Sequence, residues 1–181
     1  MNLANKITIT RVFLIPVFMV ILFSNFPNSN YIAALIFTIA AATDGLDGYI
    51  ARSRNQITTF GKFVDPLADK LLVSTALISM VQLGKVPAWI VVIIIAREFT
   101  ITGFRTIAVS EGITIAASSL GKIKTVTQLV AIILILIDNY PFRKMGFPLD
   151  KIMLYIALLF TIISGIDYIY KNKHVLKSGD K

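Results

Sequence analysis

Cysteine is absent from the 181 residues and histidine occurs once. The first absence excludes a disulfide framework and a zinc–thiolate site. His174 sits in a charged tail and reads as a solvated residue rather than a catalytic one. Charge is scarce too: 15% of residues are charged, where a soluble domain has about a quarter. Acids are the scarcest part, 10 against 18 lysines and arginines, for a net charge of +8. With 56% hydrophobic residues and a mean hydropathy of +0.77, the composition is that of an integral membrane protein. Spans of about 20 residues each leave no room for a separate soluble domain, so residues 1–181 read as one membrane domain. The positive charge suits anionic headgroups or phosphorylated substrates, and equally the ordinary positive-inside excess. Nothing points to nucleic acid.

Six apolar segments follow in order. Met1–Ser24 opens with Lys6 and Arg11 and then runs apolar; Ser24-Asn25-Phe26-Pro27 offers no small-x-small cleavage site, so it is expected to be a retained first span. The turn Phe26–Asn30 leads to a second span from Tyr31 to about Arg52. Ser53–Val64 is a polar loop, Pro66–Leu83 the third span, and Gly84–Pro87 a short turn. Trp89 opens the fourth span, which runs to about Val109. A Ser-, Gly- and Ala-rich break, Ser110–Gly121, precedes the fifth span, Lys122–Ile137. The loop Asp138–Asp150 and a sixth span, Lys151 to about Tyr170, complete the chain before a basic tail. The expected fold is therefore all-α with six transmembrane helices. Lys and Arg concentrate in the N-terminus, the connections at 52–65 and 105–124 and the tail, which puts both termini on the cytoplasmic side of the cell membrane.

Four of the ten acids are crowded into one stretch as two pairs, Asp44/Asp47 and Asp65/Asp69. Spacings of three and four put each pair on one helix face. An Asp at the centre of a span costs about 2.5–3.5 kcal/mol, so four buried and unpaired would cost on the order of 10 kcal/mol. Arg52, Lys62 and Lys70 are too few to neutralise both pairs. Two divalent cations would, and oxygen ligands without His or Cys suit magnesium or manganese. Asp65 before Pro66 fits an N-cap followed by the first residue of a helix. Gly48 clears space beside the acids, Ala51 keeps the next turn small, and Arg52 offers a fork for phosphate. A helix hairpin carrying chance polar residues, or an ion pathway, remains open on the residues alone.

A second polar cluster interrupts the fourth span at Arg97-Glu98. Arg97 lies about 15 Å from the outer end by helical rise, so it is expected to face the interior or a watery cavity. Arg105 is eight residues on, close to the same face. Lys122 and Lys124 open the fifth span from the same side, either converging on a phosphate-holding cavity or acting as membrane anchors. Adjacent residues do not face each other on a helix, so an Arg97–Glu98 pairing is expected to be weak.

Asp44, Asp47-Gly48, Ala51-Arg52, Gly61, Asp65 and Asp69 match the signature of the CDP-alcohol phosphatidyltransferases, eight fixed residues over 26 positions. The segments NLANKITITRVFLIPVF, IIAREF with Thr102-Gly103-Phe104-Arg105, and LGKIKT resemble the branch of that family whose acceptor is sn-glycerol 3-phosphate, with Ala4 where proline is usual. The resemblance implies a transfer from CDP-diacylglycerol to that acceptor with release of CMP. It implies two metal ions on Asp44, Asp47, Asp65 and Asp69, with Asp69 also the base. Gly48, Ala51, Arg52 and Gly61 would form the nucleotide pocket, and Arg97, Arg105 and Lys122, with Lys124 beside it, would hold the acceptor phosphate. A homodimer and a cleft open to cytoplasm and bilayer are implied as well. A sister enzyme with another acceptor would keep the signature and change the basic cluster. An ion-binding transporter would keep the acids without needing the glycines in register.

Overall fold

The computed structural model describes residues 3–53, 59–113, 115 and 118–173, with side chains at all of these except 3–5, 44–53, 59–63, 65–66 and 110. Within them lie six α-helices: α1 (Leu3–Leu22), α2 (Ser29–Ser53), α3 (Thr59–Gln82), α4 (Ala88–Ser110), α5 (Ser119–Leu136) and α6 (Leu149–Lys171), with a short 3₁₀ turn at Phe142–Met145. The helices meet in one large apolar core, with a second, smaller cluster of Ile101, Phe104, Ala108 and Tyr168 between α4 and α6. Phe18 of α1 packs on Phe37 of α2 with ring centroids 6.0 Å apart, and Leu77, Met80, Ile90, Ile94 and Ile132 fill the centre without exposure beyond a trace. Ala33, Ala34 and Ala40 line the buried face of α2, where small side chains let helices approach closely. The outer faces are apolar as well. Phe13, Val20, Val92, Leu159 and Ile166 are all exposed, as expected of helices that rest in lipid rather than water.

Helix ends follow from local chemistry. Gly84 takes φ +69°, and the Lys85 amide donates to the Met80 carbonyl at 2.9 Å, a Schellman stop for α3. Gly112, at φ +72°, ends α4 in the same way through the Ile113 amide and the Ala108 carbonyl, 2.8 Å apart. Ser118 starts α5: its hydroxyl accepts the Gly121 amide at 3.0 Å. The helix begins at Ser119, three residues ahead of the expected start at Lys122, so Lys122 and Lys124 lie further inside the helix and do not open it. α3 likewise starts at Thr59 and runs through Pro66, so Asp65 is not an N-cap. A proline removes one rung, and the helix continues across it.

The expectation of six transmembrane helices is not met. Two helices, α5 and α6, are long and apolar enough to cross a membrane among the described residues. Charge is the reason for the shortfall in α4 and α3. Any stretch of α4 long enough to cross contains Arg97, Glu98 and Arg105, and any such stretch of α3 contains Asp65, Asp69 and Lys70. The described apolar part of α2, Ser29–Thr43, spans about 22 Å at 1.5 Å per residue, short of the roughly 30 Å hydrocarbon layer. The placement of both termini on the cytoplasmic side was built on six alternating segments and loses that support.

Candidate functional site

The five positions between α2 and α3 reach about 18 Å at full extension, too short to let helices of 25 and 24 residues run parallel. The two are in contact and form a hairpin. Asp47 lies six residues before the end of α2 and Asp65 six after the start of α3; Asp44 and Asp69 lie nine before and ten after. By helical rise the two inner acids stand about 9 Å and the two outer ones about 14 Å from the bend. The backbone therefore brings the acid pairs to matching levels on neighbouring helices. The side chains of Asp44, Asp47, Asp65, Gly48, Ala51, Arg52 and Gly61 lie outside the described residues, and only Asp69 is described. Among the described residues no group of three or more His, Cys, Asp or Glu stands ready to hold a metal. The donor types still fit hard divalent ions, since every signature acid is a carboxylate.

Asp69 lies on the wall of a cleft of about 430 Å³ between α3, α4, α5 and α6, shared with Arg97, Arg105, Lys122 and Tyr168. The cleft thus joins Asp69 to three of the four expected phosphate-binding cations. α6 aims two of these. Arg97 donates from Nη2 to Ser164 Oγ at 3.0 Å. Arg105 donates from Nε to Tyr168 Oη at 3.1 Å, with its guanidinium carbon 5.4 Å from the ring centroid. Tyr168 is itself fixed edge-on against Phe104, centroids 5.9 Å apart. Arg97 Nε is buried without a hydrogen-bond partner among the described residues, on the side of the guanidinium that faces Gly165 of α6.

Lys124 stands apart from this group. It is buried and ion-paired with Glu98, while Arg97 Nη1 is 3.8 Å from the same carboxylate oxygen. The adjacent Arg97–Glu98 contact is long, as helix geometry leads one to expect, and the close partner of Glu98 comes from α5.

Several residues here escaped the sequence reading. Ser164 and Tyr168 belong to a buried stripe, Thr161, Ser164, Gly165 and Tyr168, whose 0, 3, 4, 7 spacing marks one helix face; that stripe was a readable signal in an otherwise apolar segment. Arg11 reads in the sequence only as a charge near the start of the first apolar segment. It is 0% exposed, and its Nε donates to Thr43 Oγ1 at 3.5 Å, one residue before Asp44. A cation from α1 therefore stands at the level of the first acid, beyond the three counted in the sequence.

A second hollow, about 500 Å³, lies at the other end of the bundle beside Lys85, Asp138, Asn139 and Arg143. Lys85 pairs with Asp138 at 2.7 Å, and Asn30 donates to the other oxygen of that carboxylate at 2.9 Å. These bonds tie the start of α2 to the α3–α4 and α5–α6 connections, and none of the expected site residues is there.

An all-α bundle with an apolar exterior, and a cation-walled cleft beside a carboxylate at a helix hairpin, defines a membrane-associated protein built to handle a phosphorylated ligand. Residues 1–163 match the family model described as CDP-alcohol phosphatidyltransferase, and the chain belongs to that family. It is 46% identical over 191 residues, covering 99% of each chain, to the CDP-diacylglycerol–glycerol-3-phosphate 3-phosphatidyltransferase of Bacillus subtilis (strain 168). Relatives with the same name are 40% identical in Haemophilus influenzae, over 93% of this chain and 91% of the relative, and 37% identical in Rickettsia bellii, over 92% and 93%.

Proposed function

We propose that this chain transfers the phosphatidyl group of CDP-diacylglycerol to sn-glycerol 3-phosphate, giving phosphatidylglycerophosphate and CMP. The observation that carries the reading is the single cleft that holds Asp69 together with Arg97, Arg105 and Lys122. An acceptor carrying a phosphate and a hydroxyl needs those two things side by side: cations for the one, a base for the other. Arg97 and Arg105 are forks held by Ser164 and Tyr168, so little reorientation is needed to grip the phosphate.

Asp69 accepts the proton of the acceptor hydroxyl. The freed oxygen attacks the phosphorus that bears diacylglycerol, the bond from that phosphorus to the CMP oxygen breaks, and CMP leaves with the electron pair. No covalent enzyme intermediate is required. Asp44, Asp47, Asp65 and Asp69 are the residues that would hold two divalent cations, magnesium or manganese, which when bound neutralise charge on the diphosphate and the departing CMP. Gly48, Ala51, Arg52 and Gly61 occupy the turns of α2 and α3 beside those acids and are assigned to the nucleotide.

The apolar exterior keeps the acyl chains in lipid while the cleft meets water. Because Arg105 and Lys122 line the cleft and basic residues concentrate on the cytoplasmic side, we place the cleft on the cytoplasmic face of the membrane, and by the family resemblance we read the working unit as a homodimer. The test is an acceptor competition with labelled CDP-diacylglycerol in detergent–lipid micelles. sn-Glycerol 3-phosphate is expected to yield labelled phosphatidylglycerophosphate, with serine, inositol phosphate and phosphatidyl-lipid acceptors inactive. Preference for any of these instead overturns the reading.

A further inference from the structure

Lys122 and Lys124 are neighbours in sequence with different surroundings. Two residues on an α-helix are about 200° apart around the axis. Lys122 is exposed on the cleft. Lys124 keeps 3% of its side chain exposed and is paired with Glu98. The small cavity beside it, about 30 Å³, is lined by Asp69, Lys70, Glu98, Lys124 and Gln128. That space accommodates a water or two and no phosphate. Asp69, Lys70, Glu98 and Thr125 also line the open cleft, so these four side chains form the partition between cleft and cavity.

A buried ammonium needs a counter-charge, and Glu98 supplies it from α4. A phosphate reaching Lys124 would have to break that pair and pass the partition. The geometry therefore points to a different use from that of Lys122. We propose that Lys124 and Glu98 form a positioning unit behind the cleft that orients Asp69 from its rear, and that Lys124 does not bind the acceptor phosphate. This rests on the reading of Asp69 as the base.

The experiment is steady-state kinetics of the full chain in detergent–lipid micelles, varying sn-glycerol 3-phosphate, for Lys124→Met, Lys122→Met and the double variant Lys124→Met/Glu98→Gln. The double variant removes both charges at nearly constant volume, so it folds even where Lys124→Met, which strands the Glu98 carboxylate, does not; size-exclusion and thermal melting check this. Positioning groups act as a unit, so the double variant is expected to lose about tenfold or more in kcat with the acceptor KM within about twofold. Lys122→Met is expected to raise that KM by about tenfold, the loss of one charge-assisted bond. A rise in acceptor KM in the folded double variant matching that of Lys122→Met makes Lys124 a phosphate ligand and overturns the proposal. Unchanged kcat and KM in the folded double variant leave the pair a structural tie and overturn it equally. Failure of the wild-type chain to form phosphatidylglycerophosphate sinks the functional reading instead, and is seen before any variant is compared.

Discussion

Gly165 makes the space that Arg97 occupies: a Cβ built on residue 165 would stand 3.2 Å from Arg97 Cγ. The neighbouring Ser164 accepts the Arg97 Nη2 proton at 3.0 Å. Glycine in a helix interior costs about 1 kcal/mol relative to alanine, so its presence in α6 needs a local cause, and the arginine stem is one. Gly165→Ala should therefore raise the melting temperature slightly while raising the acceptor KM, because the stem must shift and the Ser164 contact loosens. A KM increase of about threefold for Ala and tenfold for Val is expected, corresponding to partial and full loss of one charge-assisted bond. Initial rates against sn-glycerol 3-phosphate check it; unchanged KM in both variants would detach Gly165 from the site.

Arg97 and Arg105 should each be worth a large acceptor effect. A charge-assisted bond contributes roughly 1.5–3 kcal/mol, so Arg97→Ala and Arg105→Ala should raise the acceptor KM by about ten- to a hundredfold. The KM for CDP-diacylglycerol should stay nearly constant. Lysine lacks the planar fork, so Arg97→Lys should rescue only in part. A loss of donor affinity in place of acceptor affinity would assign these arginines to the nucleotide lipid.

Metal removal gives a direct reading of the acids. Chelator is expected to abolish CMP release, and magnesium or manganese to restore it. Full turnover in excess chelator would rule out metal-assisted transfer by Asp44, Asp47, Asp65 and Asp69.

Asp69→Asn keeps the shape of the side chain and removes the base. Turnover should fall by several orders of magnitude, of which general-base loss supplies about 10²–10⁴-fold and a missing metal ligand the rest. CDP-diacylglycerol binding should fall much less. Near-normal turnover of this variant would take the proton-accepting role away from Asp69.

Asn139 should matter for stability and not for chemistry. It is buried at φ +58°; its amide donates to the Phe147 carbonyl at 2.7 Å and its side-chain oxygen accepts the Asp150 amide at 3.2 Å. Alanine loses both bonds and tolerates that backbone region poorly, so Asn139→Ala should cost about 2–4 kcal/mol. The check is unfolding in micelles, with kcat of the remaining folded enzyme unchanged.

The sequence by itself determined the helices and the pairing of the four acids, because those depend on short-range features, and the reaction class came through the resemblance of the signature that holds them. Apolar runs, Gly84 as a stop, and carboxylates three or four apart are all legible within a few turns. It overstated the membrane crossings, since an apolar run was counted as a span even where Arg97, Glu98 and Arg105, or Asp65, Asp69 and Lys70, break it. It also placed the starts of α3 and α5 late, by trusting Pro66 as a first residue and overlooking Ser118 as a cap. What only the tertiary structure decided is which cation meets which partner. Arg97 reaches Ser164 across 67 positions and Arg105 reaches Tyr168 across 63. Arg11 is drawn from the chain start to Thr43, and Lys124 turns inward to Glu98 while Lys122 stays on the cleft. A charge's position in a helix can be read from periodicity. Its partner is set by the packing of separate helices, because a buried cation must find a counter-charge or acceptor wherever the fold supplies one.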